Sequence, residues 1–168
     1  MDRAQNHVPV LARQVVESLR AVNGNLLVDG TLGMGGHTRL LLEARDDFRI
    51  LAFDVDPLSL REARQRLGAL AARVTLVQAD YTSLPDLLGE RLSTVAGVLV
   101  DPGISMVQLR WPGRGFSHQG EDPLDMRKNP ARRMTAAGLL ATADFNELER
   151  ILVSYGDLRP AAPLVQRI

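Results

Sequence analysis

The chain has 168 residues, 45% of them hydrophobic, which suits one domain of ordinary size with a packed core. Its 20 basic and 20 acidic residues cancel, so the global charge leaves no nucleic-acid footprint and any RNA contact has to be local. With no cysteine there is neither a disulfide framework nor a thiolate metal site, three scattered histidines make no zinc site, and no stretch approaches the roughly 20 apolar residues of a membrane span. The start of the chain, with Asp2, Gln5 and Asn6, lacks the apolar region of a signal peptide, so the expectation is a soluble, cytoplasmic protein without a membrane partner.

In chain order, His7 to Pro9 reads as an extended lead-in and Val10 to Ala21 as a helix with Leu11, Val15, Val16 and Leu19 on one face. Leu26 to Asp29 is a short apolar run ending in an acid, the pattern of a buried parallel strand. Gly30, Gly33, Gly35 and Gly36 follow, and then a helix from Thr38 to Ala44. Such a turn lets backbone approach a ligand where a Cβ would collide, and the helix aims its N-terminal N–H groups back at it. Further strands are expected at Ile50 to Asp54, Val74 to Val77 and Val95 to Asp101, with a helix from Pro57 to Leu70 that buries Leu58, Leu60, Ala63 and Leu67. This alternation predicts a parallel sheet with helices on both faces and a ligand at the carboxyl ends of the strands. From Pro102 to Pro130 the period disappears among Gly, Pro and Arg residues, which predicts a long functional loop. A helix from Thr135 to Leu140 comes next, and then one capped by Asp144 with Glu147 three residues on. Leu148, Ile151, Leu152 and Tyr155 share a face of that second helix, Gly156 ends it, and Arg159 to Ile168 carries two prolines and no strand.

The glycine run departs from the dinucleotide fingerprint, because Gly33 is followed by Met34-Gly35-Gly36-His37-Thr38 with no third glycine in place. It also lacks the Gly-Lys-Ser/Thr ending of a triphosphate loop. S-adenosylmethionine, which carries no phosphate, is the better guest; an ordinary strand-to-helix turn is the bland alternative. Asp54 closes the second strand, where a carboxylate can accept both ribose hydroxyls. Asp56 either faces the same way or caps the next helix ahead of Pro57. Asp80 and Tyr81 follow the third strand, placed to meet an adenine amino group and cover the base, with partial core burial the competing role for Tyr81. Asp101-Pro102-Gly103 puts an acid and a rigid turn beside the expected methyl donor, a partial match to the Asp-Pro-Pro-aromatic pattern of amino-group methyltransferases. An exocyclic amine is a poor nucleophile, and a carboxylate and carbonyl that hold its N–H groups align it for attack. Alone, Asp101 is equally a turn residue. Between Met106 and Arg133 six basic residues (Arg110, Arg114, Arg127, Lys128, Arg132, Arg133) face three acidic ones, either a phosphate-contacting surface or a solvated loop.

With these residues in place the chain resembles the RsmH (MraW) family, S-adenosylmethionine-dependent methyltransferases that modify cytidine N4 in 16S ribosomal RNA. The resemblance runs through His7-Val8-Pro9-Val10, Asp29-Gly30-Thr31, Gly33 with Gly35-Gly36-His37, and Phe53-Asp54 with Asp56-Pro57. It continues through Gln108-Leu109, Arg114-Gly115-Phe116-Ser117, Pro123-Leu124-Asp125-Met126-Arg127, Thr135-Ala136-Ala137, Ile151-Leu152 and Tyr155-Gly156. It implies cofactor contacts at Gly35, Gly36, His37, Asp54, Tyr81, Asp101 and Gln108, beside the cradle residues Asp29 and Gly33. It also implies that Asp125 and Arg127 line the target-base pocket, with a structural ion pair as their alternative. The family usually has Leu-Gly-Val-Ser-Ser after its acid, where this chain has Pro102-Gly103-Ile104-Ser105-Met106. It also continues for well over a hundred residues more.

The fold expected is α/β, a Rossmann-like class I S-adenosylmethionine-dependent methyltransferase sheet of at least four parallel strands with part of a helical insertion domain. Residues 1–105 form the cofactor-binding half and 106–168 the loop and the start of a substrate-recognition insertion. The leading expectation is methyl transfer to a cytidine N4 in small-subunit ribosomal RNA or a ribosomal particle, with Asp101 and Pro102 at the acceptor amine. The cofactor is S-adenosylmethionine, there is no metal, and room is left for a homodimer. A shortened, catalytically silent S-adenosylmethionine-binding module is the alternative from another class, and an NAD-dependent oxidoreductase a third.

Overall fold

The computed structural model describes residues 8–168, so the readings placed on Asp2, Gln5, Asn6 and His7 lie outside the described residues. The chain divides into two compact units, Met1–Arg110 and Trp111–Ile168. In the first, α1 (Ala12–Arg20) leads into β1 (Leu26–Asp29), α2 (Gly36–Ala44), β2 (Arg49–Asp54), α3 (Pro57–Leu67), β3 (Val74–Gln78), α4 (Leu84–Leu88), β4 (Val95–Leu99) and α5 (Met106–Arg110). All pairings are parallel, in the order β3-β2-β1-β4 that begins a doubly wound Rossmann-like sheet.

Alternation along the strands divides the core into two layers. Leu27, Ile50 and Ala52 point to the face covered by α1, α2 and α3, where they pack with Leu41, Leu42, Phe48, Ala63 and Leu67. Val28 and Phe53 point to the other face, covered by Leu84 and Leu88 of the short α4. That second layer is thin. A cavity of about 460 Å³ opens under α4 between Leu51, Phe53, Val77 and Leu87, and Val98 of β4 is 49% exposed. Among the described residues β4 pairs only with β1, so it is an edge strand.

Several boundaries differ from those the sequence predicts. The last strand stops at Leu99 rather than Asp101, because its partner β1 ends at Asp29, which pairs with Leu99. The predicted Pro57 to Leu70 helix ends at Leu67, and a 3-10 segment, Gly68–Arg73, completes the connection. α4 and α5 were not expected. Each is five residues long, too short to show a helical period against its loop. α5 buries Val107 and Gln108, which keeps the chain with the first unit through Arg110.

The second unit holds α6 (Ala136–Thr142), α7 (Phe145–Ser154) and a four-residue α8 (Ala162–Val165). The predicted cap at Asp144 is present, accepting from the Glu147 N–H at 2.9 Å, and Thr135, predicted as the first helical residue, instead caps α6 by accepting from the Gly138 N–H. α8 was missed, since the two prolines of Arg159 to Ile168 argue against a helix, yet one of them sits in its first turn, where proline is tolerated. No helix among the described residues is long and apolar enough to cross a membrane.

Phe53 is fully buried in the thin second layer and immediately precedes Asp54. Phe53→Ala should lower the unfolding free energy by about 3–5 kcal/mol, measured by denaturant titration of the first unit's transition.

Candidate cofactor and acceptor site

At the carboxyl edge of the sheet three acids take up the loops that follow them. Asp29, at the end of β1, is almost fully buried; its Oδ1 accepts the Thr31 N–H at 3.1 Å and its Oδ2 the Thr38 hydroxyl at 2.7 Å. Asp54, at the end of β2, accepts the Gly33 N–H through Oδ2 and the Asp56 N–H through Oδ1, both at 2.9 Å. Burial pushes the carboxyls of Asp29 and Asp54 above the usual carboxylate range, and these hydrogen bonds pull them partly back. Of the two roles open to Asp56 the structure takes the cap: Oδ1 accepts the Leu58 N–H ahead of α3, and the residue is fully buried. Asp80 uses its carboxylate locally, accepting the Thr82 N–H and hydroxyl in a turn after β3.

The glycine run lies between these acids. Gly35 caps α2 with φ +78°, so the helix begins at Gly36, two residues before the predicted start. Two of the close approaches expected toward a ligand are filled by the protein itself. A Cβ at Gly36 would meet Pro9 at 2.7 Å, and one at Gly30 would meet the Tyr81 Cβ at 2.9 Å. Tyr81 therefore lies over the start of the loop, with its side chain reaching the surface.

His37 and Gln108 are both buried, and their polar atoms are directed at protein groups. The carbonyl of Val10 can only accept, so the His37 Nε2 carries the proton in their 2.8 Å bond; Nδ1 faces the Asp101 carboxylate at 4.0 Å. Gln108 accepts the Ser105 N–H through Oε1 and donates from Nε2 to Asp56 Oδ2 at 3.3 Å, locking α5 to the cap of α3. Asp101 lies two residues past the end of β4, with its backbone N–H on the Thr31 hydroxyl at 2.7 Å and its side chain half exposed. Pro102 follows it at the surface. The loop threonines Thr31 and Thr38 were missed as site residues. The signal was present in Asp29-Gly30-Thr31, where an aspartate whose side chain accepts from the second residue on forms an Asx turn.

In the second unit Asp125 and Arg127 form the structural ion pair that was their alternative role. The guanidinium meets both carboxylate oxygens, at 2.6 and 2.9 Å, and its remaining N–H groups donate to the carbonyls of Pro130 and Arg132. The pair closes the loop around Met126, which adopts φ +57°. Arg114 joins this loop by donating to the Arg127 carbonyl at 2.8 Å. The Arg127 guanidinium holds the Asp125 carboxyl well below the usual range, at about 2.

The chain matches the model of the MraW methylase family over residues 4–168. It is 44% identical to the ribosomal RNA small subunit methyltransferase H of Beutenbergia cavernae, covering 96% of this chain and 51% of that protein. The protein of the same name from Thermobifida fusca is 42% identical, over 98% of this chain and 51% of its own length. That of Desulfotalea psychrophila is 38% identical, over 100% and 58%. The chain thus spans about half the length of the curated relatives it matches.

The ion pair fixes the sign of a pH effect. Asp125 holds its proton less tightly folded than unfolded, so it contributes stability above about pH 4 and loses that contribution as the pH falls toward about 2. The second unit should weaken over that interval, and Arg127→Gln should flatten this dependence; carboxyl NMR titration of Asp125 together with urea midpoints at several pH values checks both.

Proposed function

The chain belongs to the MraW methylase family, and from that premise we propose that it binds S-adenosylmethionine at the carboxyl edge of β1, β2 and β4. We propose further that the whole protein transfers the methyl group to the N4 amine of a cytidine in small-subunit ribosomal RNA, in the cytoplasm. The observation that carries this reading is the gathering of Asp29, Asp54 and Asp101 around a glycine loop at one edge of a parallel sheet. Carboxylates in partly dehydrated surroundings favour an ammonium and a sulfonium and disfavour a pyrophosphate, so the donor set fits this cofactor better than a dinucleotide.

When bound, the cofactor supplies a methyl group activated on a sulfonium. This chain's residues bind and orient. Asp54 keeps the Gly33 turn closed and has lone pairs left for the ribose hydroxyls, and Gly35, Gly36 and His37 present the N-terminal turn of α2. Tyr81 offers a ring beside the loop for the base. Gln108 acts at one remove, by holding Asp56 and Ser105. Asp101, with the backbone of Pro102 and Gly103, accepts the N–H groups of a cytosine turned out of its stack and aligns N4 toward the methyl group. Asp125 and Arg127 contribute by shaping their loop.

Two measurements test this. In calorimetry the chain should bind S-adenosylmethionine and not NAD, and Asp54→Ala should weaken binding by about 10–100-fold, as expected for losing charge-assisted hydrogen bonds. Unmodified small-subunit particles incubated with the whole protein and S-adenosylmethionine should gain N4-methylcytidine; cofactor binding without that gain would overturn the substrate assignment and restore the silent binding module.

A further inference from the structure

Asp101 stands outside the hydrogen-bond ladder, whose last register pair is Asp29 with Leu99. The chain past Leu99 is nonetheless attached to the turn after β1. The Gly30 N–H reaches the Leu99 carbonyl at 2.8 Å, and the Asp101 N–H reaches the Thr31 hydroxyl oxygen at 2.7 Å, short for a bond of this kind. Thr31 is itself fixed, because its own N–H is taken by the buried Asp29 carboxylate. On the side-chain end, His37 Nδ1 faces the Asp101 carboxylate at 4.0 Å, and that ring is held by its bond to the Val10 carbonyl.

We propose that Thr31 is a positioning residue for methyl transfer, its hydroxyl setting the Asp101 carboxylate at a fixed distance from the cofactor loop. The proposal rests on the methyltransferase reading for its consequence in turnover, and on the geometry alone for its mechanical part. Thr31 lies in the loop that belongs to the cofactor, and Asp101 in the segment that belongs to the acceptor. The hydroxyl is the side-chain link between them. Its donor is a backbone N–H, so the hold acts on the position of the Asp101 main chain and the carboxylate follows. A displacement of about 1 Å at such a group is enough to cost on the order of 100-fold in rate.

Thr31→Val keeps the shape of the side chain and removes the acceptor, whereas Thr31→Ser keeps the acceptor and removes a methyl group. In the whole protein, S-adenosylmethionine affinity should stay within about threefold for both variants, while kcat falls about 10–100-fold in Thr31→Val and stays within about threefold in Thr31→Ser. In this chain by itself, hydrogen exchange at the Asp101 amide should speed up in Thr31→Val and not in Thr31→Ser. Unchanged exchange and turnover in Thr31→Val would overturn the proposal. Equal losses in the two variants would assign Thr31 to packing instead, and a fall in cofactor affinity matching the fall in kcat would make it a cofactor contact. If the unaltered protein fails to methylate, the function assignment falls, and the exchange measurement still decides whether Thr31 holds Asp101.

Discussion

A carboxylate buried at the end of β1 is the constraint from which the site follows. An acid as enclosed as Asp29 is tolerated only where its oxygens are met by donors, and the two donors available are the Thr31 N–H in the turn and the Thr38 hydroxyl in the first turn of α2. Meeting both fixes how far the chain travels before α2 begins, and so fixes the loop that carries Gly33, Gly35 and Gly36. Desolvation raises the proton affinity of this acid, and the two bonds pull it only partly back.

The same device recurs along the sheet edge. Asp29 accepts from Thr31, Asp54 from Asp56 and Asp80 from Thr82, in each case an aspartate bonded to the backbone two residues on. An Asx turn of this kind ends a strand and redirects the chain without needing an αL residue. Asp54 is only partly buried, so the acid that holds the Gly33 turn is also the one proposed for the ribose hydroxyls, and one residue serves folding and the proposed binding together.

This double use explains what the sequence revealed and what it concealed. β1 and β2 end where their acids stand, so those strands and the acids on them were legible from an apolar run followed by Asp. The end of β4 was not, because it is set by the length of its partner and not by its own residues, and Val100 and Asp101 continue the apolar-then-acid pattern past the last pair. His37 and Gln108 were visible only through the family resemblance, and their observed bonds, to Val10 and to Asp56, join positions too far apart in the chain for spacing to suggest. Asp125 and Arg127 were legible as two charges, but their pairing depends on side-chain geometry and on carbonyls at Pro130 and Arg132 that turn back toward the guanidinium.

The two halves of the proposed reaction rest on supports of unequal rigidity. The two cradle acids proposed for the cofactor stand at the ends of the paired strands β1 and β2, in a sheet with α2 and α3 packed against it. The acceptor acid hangs on β4, an edge strand whose second face is half uncovered at Val98, and past Leu99 its main chain is tied back through the Thr31 hydroxyl. Disturbance at that edge therefore reaches Asp101 long before it reaches Asp29 or Asp54. Cofactor affinity and methyl transfer should respond separately to it, because the first depends on a carboxylate enclosed by its own loop and the second on one held at the end of a single hydrogen bond.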